Sequence, residues 1–226
     1  MRTVSQISRL AILAGLFLCC LPVAAQPPFQ DALLDTIAGL QRRYASVRTV
    51  TGQFEQRYRA PGVDQVESGT FWMKKPGLMR WEYNRPETKL FIADGRETFL
   101  YVPEDGQVMV RSFTDSDLRG TPLQFLLGRG DILRSFAVAP ESEFKARAEG
   151  TVLVRLSPYG LDQEYTFLVL EIDLRTHDLR RIVIRERTGN TSEFLLTDLR
   201  TGLRIDDSRF RFRMPKGVEV IRLDEK

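Results

Sequence analysis

The chain is poor in the residues that do chemistry. It has two cysteines, Cys19 and Cys20, and one histidine, His177, in 226 residues. Both cysteines fall in the first 25 positions, so the rest of the chain offers no disulfide, no thiol nucleophile and no cysteine metal site. One histidine without cysteine cannot build a zinc centre of the usual ligand types. It sits in Arg175-Thr176-His177-Asp178 and reads as an exposed turn residue. The chain lacks a Gly-x-Ser-x-Gly elbow, a phosphate-binding loop ending in Lys-Ser/Thr, and a Gly-x-Gly-x-x-Gly after a strand. Leu127-Gly128-Arg129-Gly130 is glycine-rich without that lysine, and Asp206-Asp207 reads as a turn rather than a calcium loop. A lipid-acting enzyme would have only Ser157, Ser192 and His177 as inexpensive candidates.

Net charge of one sign is also lacking. The sequence holds 33 Lys+Arg against 30 Asp+Glu. Arg2 and Arg9 belong to a leader with no acidic residue, and without them 31 basic side chains face 30 acidic ones, a net charge of +1. That balance carries no nucleic-acid signature. The only long apolar run, Leu10–Leu21, is too short to span a membrane. With Arg2 and Arg9 before it and Val23-Ala24-Ala25 after it, residues 1–25 read as a signal peptide cleaved after Ala25. A lipoprotein signal would need a small residue before the modified cysteine, whereas Leu18 precedes Cys19 and Cys19 precedes Cys20. Residues 26–226 then form one domain, long enough for one substantial core.

What is present is alternation. Phe29–Tyr44 predicts an amphipathic helix, with Leu33, Leu34, Ile37, Leu40 and Tyr44 at spacings of three and four. The period then changes to two. Strands are predicted at Val50–Arg59, Gln65–Lys74, Leu78–Asn84, Lys89–Ala93, Glu97–Val102 and Gln107–Phe113, divided by turn dipeptides such as Pro76-Gly77, Asp94-Gly95 and Asp105-Gly106. Connections this tight make neighbouring strands antiparallel. Residues 117–136 interrupt the rhythm with a glycine-hinged helical excursion, Thr121-Pro122 opening it and Asp131 capping a second short helix through Phe136. Strands resume at Phe144–Ala148, Val152–Ser157, Tyr165–Leu174, Leu179–Arg187, Glu193–Arg200 and Phe210–Arg213. The fold class is mainly β with a few helices (α+β).

Alternate residues of a strand share a face. Met79, Trp81 and Tyr83 group together, as do Phe71 and Met73, Leu90 and Ile92, and Phe99 and Tyr101. The expectation is one aromatic, methionine-rich face, completed by Phe54. It is either plain core under the helices or the floor of a cavity that accepts lipid.

The segment Lys75-Pro76-Gly77-Leu78-Met79-Arg80-Trp81-Glu82-Tyr83, with Gly69 and Pro86, carries a resemblance. Around it, in order, stand Phe54-x-Gln56, Ile92-x-Asp94-Gly95, Thr121-Pro122-Leu123 with Leu126-Leu127, Phe210-x-Phe212 and Pro215-x-Gly217-Val218-Glu219-Val220. The chain resembles the periplasmic outer-membrane lipoprotein carrier (LolA) family over nearly all of residues 26–226. The resemblance implies an incomplete antiparallel barrel, a half-barrel, closed by a helical lid at 29–44 and 117–136 around a hydrophobic cavity. It implies a monomer that is neither an enzyme nor dependent on a cofactor or metal. Such a carrier accepts acylated lipoproteins from an inner-membrane ABC transporter and delivers them to an outer-membrane receptor lipoprotein. Phe54, Phe71, Met73, Met79, Trp81, Tyr83, Leu90, Ile92, Phe99 and Tyr101 would line the cavity, and Leu33, Ile37, Leu40, Leu123, Leu126 and Leu127 the lid. Lys75, where some members carry an arginine that bonds the lid backbone, would be its latch. Other readings stay open: a carrier of another lipid or acylated product on the same fold, and the receptor itself.

Overall fold

The computed structural model describes residues 28–113, 131–160 and 164–223. Helix α1 (Pro28–Ser46) is followed by β1 (Thr49–Ala60), β2 (Val63–Lys74), β3 (Leu78–Arg85), β4 (Lys89–Asp94), β5 (Glu97–Val102) and β6 (Gln107–Ser112). After the short helix α2 (Ile132–Ser135) come β7 (Phe136–Pro140), β8 (Thr151–Pro158), β9 (Tyr165–Asp173), β10 (Leu179–Glu186) and β11 (Thr191–Thr201). A 3₁₀ turn (Asp207–Phe210) and β12 (Glu219–Arg222) close the described chain. All twelve strands form one sheet, ordered β12-β6-β5-β4-β3-β2-β1-β11-β10-β9-β8-β7. The sheet is open, as an incomplete barrel must be. It is antiparallel except where β12 runs parallel to β6. Among the described residues no helix is long and apolar enough to cross a membrane.

The face that α1 covers is called inner here. Leu33, Ile37, Leu40 and Tyr44 of α1 are buried in one cluster with Val50, Phe54, Phe71 and Trp81 on one half of the sheet and Leu156, Leu170, Ile182 and Leu196 on the other. Three- and four-residue spacing puts the helical residues on one stripe. Each large apolar side chain so buried contributes about 1.5–3 kcal/mol gross. Gly69 shows how close the packing is. It pairs with Phe54 across β1 and β2, and a Cβ there would lie 1.9 Å from the Glu82 carbonyl oxygen.

Four segments depart from the sequence reading, one of them β12, which was not expected as a strand and pairs parallel to β6. Phe144–Ala148 alternates like a strand but is an irregular cover over the outer face, because the N–H groups of Arg147 and Ala148 donate to the buried Glu171 carboxylate at 2.8 and 3.0 Å. Those donors are then unavailable to a ladder. Phe210–Arg213 is not a strand either. Asp206 accepts from Ser208 N at 2.8 Å and starts the 3₁₀ turn, and Arg211 N closes it on Ser208 O. The second short helix is capped by Asp131, which accepts from Leu133 N, but it stops at Ser135. Phe136, expected inside it, is the first residue of the edge strand β7.

Candidate functional site

The inner-face aromatics of β1–β3 form one interlocked group. Cross-strand register pairs Gly52 with Phe71, Phe71 with Trp81 and Met73 with Met79. The Phe71 and Trp81 rings stack, with centroids 4.9 Å apart and planes 19° from parallel. Phe54 meets Trp81 edge-on at 4.8 Å and Tyr83 at 4.9 Å. Such pairs contribute about 0.5–1.5 kcal/mol beyond their area. Phe194 of β11 extends the group, 6.1 Å from Trp81. Trp81 is only 4 % exposed and its Nε1–H has no hydrogen-bond partner among the described residues. A donor left unpaired in an apolar floor is costly and would gain from any acceptor that entered. Burial pushes the Tyr83 phenol up to about 12, so it remains neutral, and its hydroxyl donates to Gln56 Oε1 at 3.1 Å.

Six residues expected to line one face, Phe54, Phe71, Met73, Met79, Trp81 and Tyr83, belong to this group. Four do not. Leu90, Ile92, Phe99 and Tyr101 lie on the outer face, in a separate cluster with Val108, Val110, Phe212 and Val218. The register is the reason: Trp81 pairs with Phe91 and Met79 with Ala93, so Phe91 and Ala93 point inward. Leu90-Phe91-Ile92-Ala93 is apolar at every position, and parity within the strand cannot say which pair faces α1. The inner face also reaches farther than expected, through Ile182 and Ile184 on β10, Leu168, Leu170 and Ile172 on β9, and Val154 and Leu156 on β8. Their period-two spacing in sequence was the available signal.

The covering helix is tied down mainly at one end. Lys75 Nζ donates to the carbonyls of Tyr44 at 2.5 Å and Ala45 at 3.1 Å. These are last-turn carbonyls, where a cation also meets the negative end of the helix dipole. Arg43 Nε lies 3.1 Å from Asp178 Oδ1, and the Tyr44 hydroxyl accepts from Leu179 N at 3.2 Å. Burial raises the Tyr44 phenol to about 12, which keeps it a neutral acceptor. His177, expected to be exposed, is half-buried in this β9–β10 turn against Gly39, where an added Cβ would lie 2.1 Å from its ring. Toward the start of the helix Gln30 Nε2 donates to Val138 O, and in its second half Gln41 reaches Asp131 at 3.4 Å. Leu33, Ile37 and Leu40 meet the sheet by apolar contact. Leu123, Leu126 and Leu127 lie outside the described residues.

Among the described residues no group of three or more His, Cys, Asp or Glu side chains is set to hold a metal ion. What the arrangement offers chemically is a broad apolar surface, an indole donor unpaired among the described residues, and a helix that meets that surface by apolar contact and is anchored by hydrogen bonds mainly near its C-terminus.

Known proteins resemble this arrangement in sequence. The profile of a family described as outer membrane lipoprotein carrier protein LolA matches residues 45–213. An outer-membrane lipoprotein carrier protein of Bordetella pertussis is 31 % identical over 181 residues, covering 79 % of this chain and 82 % of the relative. One from Chromohalobacter salexigens is 30 % identical over 205 residues, with 89 % and 91 % covered. Among solved structures, an uncharacterized conserved protein from Thermus thermophilus has the same fold, with a TM-score of 0.52 at 11 % identity over 84 % of this chain and 98 % of that one.

Proposed function

The chain belongs to the outer membrane lipoprotein carrier protein LolA family, and from that premise we propose that it shuttles acylated lipoproteins through the periplasm. In this reading residues 1–25 are a cleaved signal and residues 26–226 one carrier domain. The carrier takes cargo from an inner-membrane ABC transporter and hands it to an outer-membrane receptor lipoprotein. The observation that supports it most is the inner face: one apolar cluster running across β1–β4 and β8–β11 under α1. Acyl chains would lie on Phe54, Phe71, Met73, Met79, Trp81 and Tyr83, with α1 moved aside.

The energetics suit a handoff. A chain of ~16 carbons represents roughly 12 kcal/mol of gross burial, at about 0.8 kcal/mol per CH₂. Part of that is spent on displacing Leu33, Ile37 and Leu40 from the same surface, which lowers the apparent affinity. Lys75, bonded to the Tyr44 and Ala45 carbonyls, is the latch whose release precedes opening.

The test adds the purified chain from Gln26 onward to inner membranes carrying newly made lipoprotein and an energised transporter. Release of the lipoprotein in a soluble complex that chases into outer membranes is expected. If the lipoprotein stays in the membrane, the reading fails. Mass spectrometry of the native complex separates this cargo from a free phospholipid or another acylated product.

A further inference from the structure

The outer face carries a second surface, unlike the inner one. A groove of about 700 Å³ lies between β2–β5 and the segment 203–215. Its floor is a cross-strand row: Trp72 pairs with Arg80 and Arg80 with Ile92, flanked by Leu90 and Tyr101. Its walls are basic. Arg80, Arg204, Arg209, Arg211 and Arg213 line it, against one carboxylate, Asp206. The chain as a whole is nearly balanced, with 33 basic and 30 acidic side chains, so this is a local concentration of positive charge. Arg80 is engaged with Glu82, and Arg209 lies over the Trp72 ring at 4.1 Å. Arg204, Arg211 and Arg213 are exposed and form no salt bridge or side-chain hydrogen bond among the described residues, although Arg211 lies within electrostatic range of the Asp206 carboxylate. Two large apolar side chains of the same segment stand exposed, Leu203 at 44 % and Met214 at 47 %.

Exposed guanidiniums interleaved with exposed apolar side chains and an aromatic floor match the boundary of an anionic bilayer. There the cations meet phosphates and the apolar groups dip toward the acyl region. An acidic protein partner would satisfy the arginines but would leave Leu203 and Met214 unexplained. We propose that the segment 203–215 and the outer groove form a docking surface for membranes containing anionic phospholipid. The surface is separate from the inner face and works with or without cargo, so the carrier would meet a bilayer with its outer face.

The experiment floats the cargo-free chain from Gln26 onward with vesicles of phosphatidylglycerol and phosphatidylcholine, and with vesicles of phosphatidylcholine alone. Flotation with the anionic vesicles only, weakening as salt rises, is the expected result. Neutralising Arg204, Arg211 and Arg213 together to Gln should lower the partition coefficient about a hundredfold, at about fivefold per arginine. These side chains are exposed, and an unchanged urea midpoint verifies the fold. Leu203→Ser with Met214→Ser should weaken flotation while preserving its salt dependence. Equal flotation with both vesicles, flotation with neither, or a triple variant that floats like wild type overturns the proposal. Retention on an acidic polypeptide without flotation overturns it in favour of a protein partner. No lipoprotein is present in the assay, so failure of the carrier reading would leave this result standing.

Discussion

The two faces of the sheet are built from the same strands and covered by opposite means. On the inner face α1 lies on apolar side chains from both halves of the sheet. On the outer face of β9–β11, residues 141–148 lie on buried ions. Arg181 Nη1 donates to Glu193 Oε1 at 3.1 Å and Nη2 to Lys145 O at 2.7 Å. Arg181 Nε and Glu171 Oε2 lie 2.8 Å apart but off the hydrogen-bond axis, an ion pair without an aligned bond. Arg147 Nε reaches Glu193 Oε1 at 2.9 Å. The difference concerns what can replace each cover. Apolar contacts have no direction, and a lipid chain can substitute for a leucine. No lipid can substitute for Arg181 between two carboxylates. In the proposed carrier α1 is then the exchangeable cover and residues 141–148 the fixed one.

The sharpest way to break that distinction is Arg181→Met. Arg181 is 3 % exposed and Glu171 1 %, so the variant strands buried negative charge. A loss of about 3–5 kcal/mol of stability is expected in urea unfolding. Replacing Glu171 and Glu193 by Gln as well should recover part of it, because an amide oxygen at position 171 can still accept from Arg147 N and Ala148 N without a buried charge. Acyl-probe affinity of the folded protein should not change. If it does, the two faces are coupled and the fixed cover is not independent of the exchangeable one.

Gly39→Ala addresses the other face. The new Cβ would lie 2.1 Å from the His177 ring, so the ring or the helix must shift. A loss of about 1–3 kcal/mol is expected. Here affinity for a long-chain fluorescent acyl probe should rise, about tenfold for each 1.4 kcal/mol taken from the closed state. Lower stability with unchanged affinity would mean that α1 is not what lipid displaces.

Much of this comparison could be read in the sequence, and the gaps have physical causes. The helix was legible because Leu33, Ile37, Leu40 and Tyr44 keep one period, and the aromatic group because Met79, Trp81 and Tyr83 alternate with polar Arg80 and Glu82. The outer cluster was not, because Leu90 and Ile92 belong to an unbroken apolar run whose facing only register decides. The outer covers were misread for a related reason. Phe144–Ala148 and Phe210–Arg213 alternate as strands do, but the Glu171 carboxylate takes the N–H groups of Arg147 and Ala148, and the 3₁₀ turn that Asp206 caps takes that of Arg211. A long-range partner such as Glu171, 24 residues from Arg147, leaves no local mark. The docking of His177 on Gly39 is invisible for the same reason.

Lys75→Met removes two hydrogen bonds from the last turn of α1. Lys75 is only partly buried, so the expected cost is about 1 kcal/mol, with a matching several-fold gain in acyl-probe affinity. Lys75→Arg should act in the opposite direction, since a guanidinium can present two N–H groups to the two carbonyls at once. Identical affinities for both variants would remove Lys75 from the latch and leave the helix held by Arg43, Tyr44 and its apolar stripe.

The smallest effect concerns acid. Asp173 sets the β9–β10 turn by accepting from Thr176 N at 2.9 Å and Arg175 N at 3.0 Å, and it pairs with Arg180. The bond from Thr176, then those from Arg180 and Arg175, outweigh burial and hold its carboxyl at about 2 instead of 3.8. A carboxylate depressed on folding stabilises above its unfolded value and ceases to do so as pH falls through its folded value. The contribution is therefore present above about pH 4 and lost toward about pH 2, on the order of 1 kcal/mol after allowing for partial exposure. That turn carries both His177 and Asp178, which dock α1. Acid should thus loosen the exchangeable cover through Asp173. Asp173→Asn would remove the carboxylate at every pH, so the stability gap between wild type and variant should close as pH is lowered from about 5 to about 2. A gap that stays constant across that range would assign the turn's order to its backbone alone.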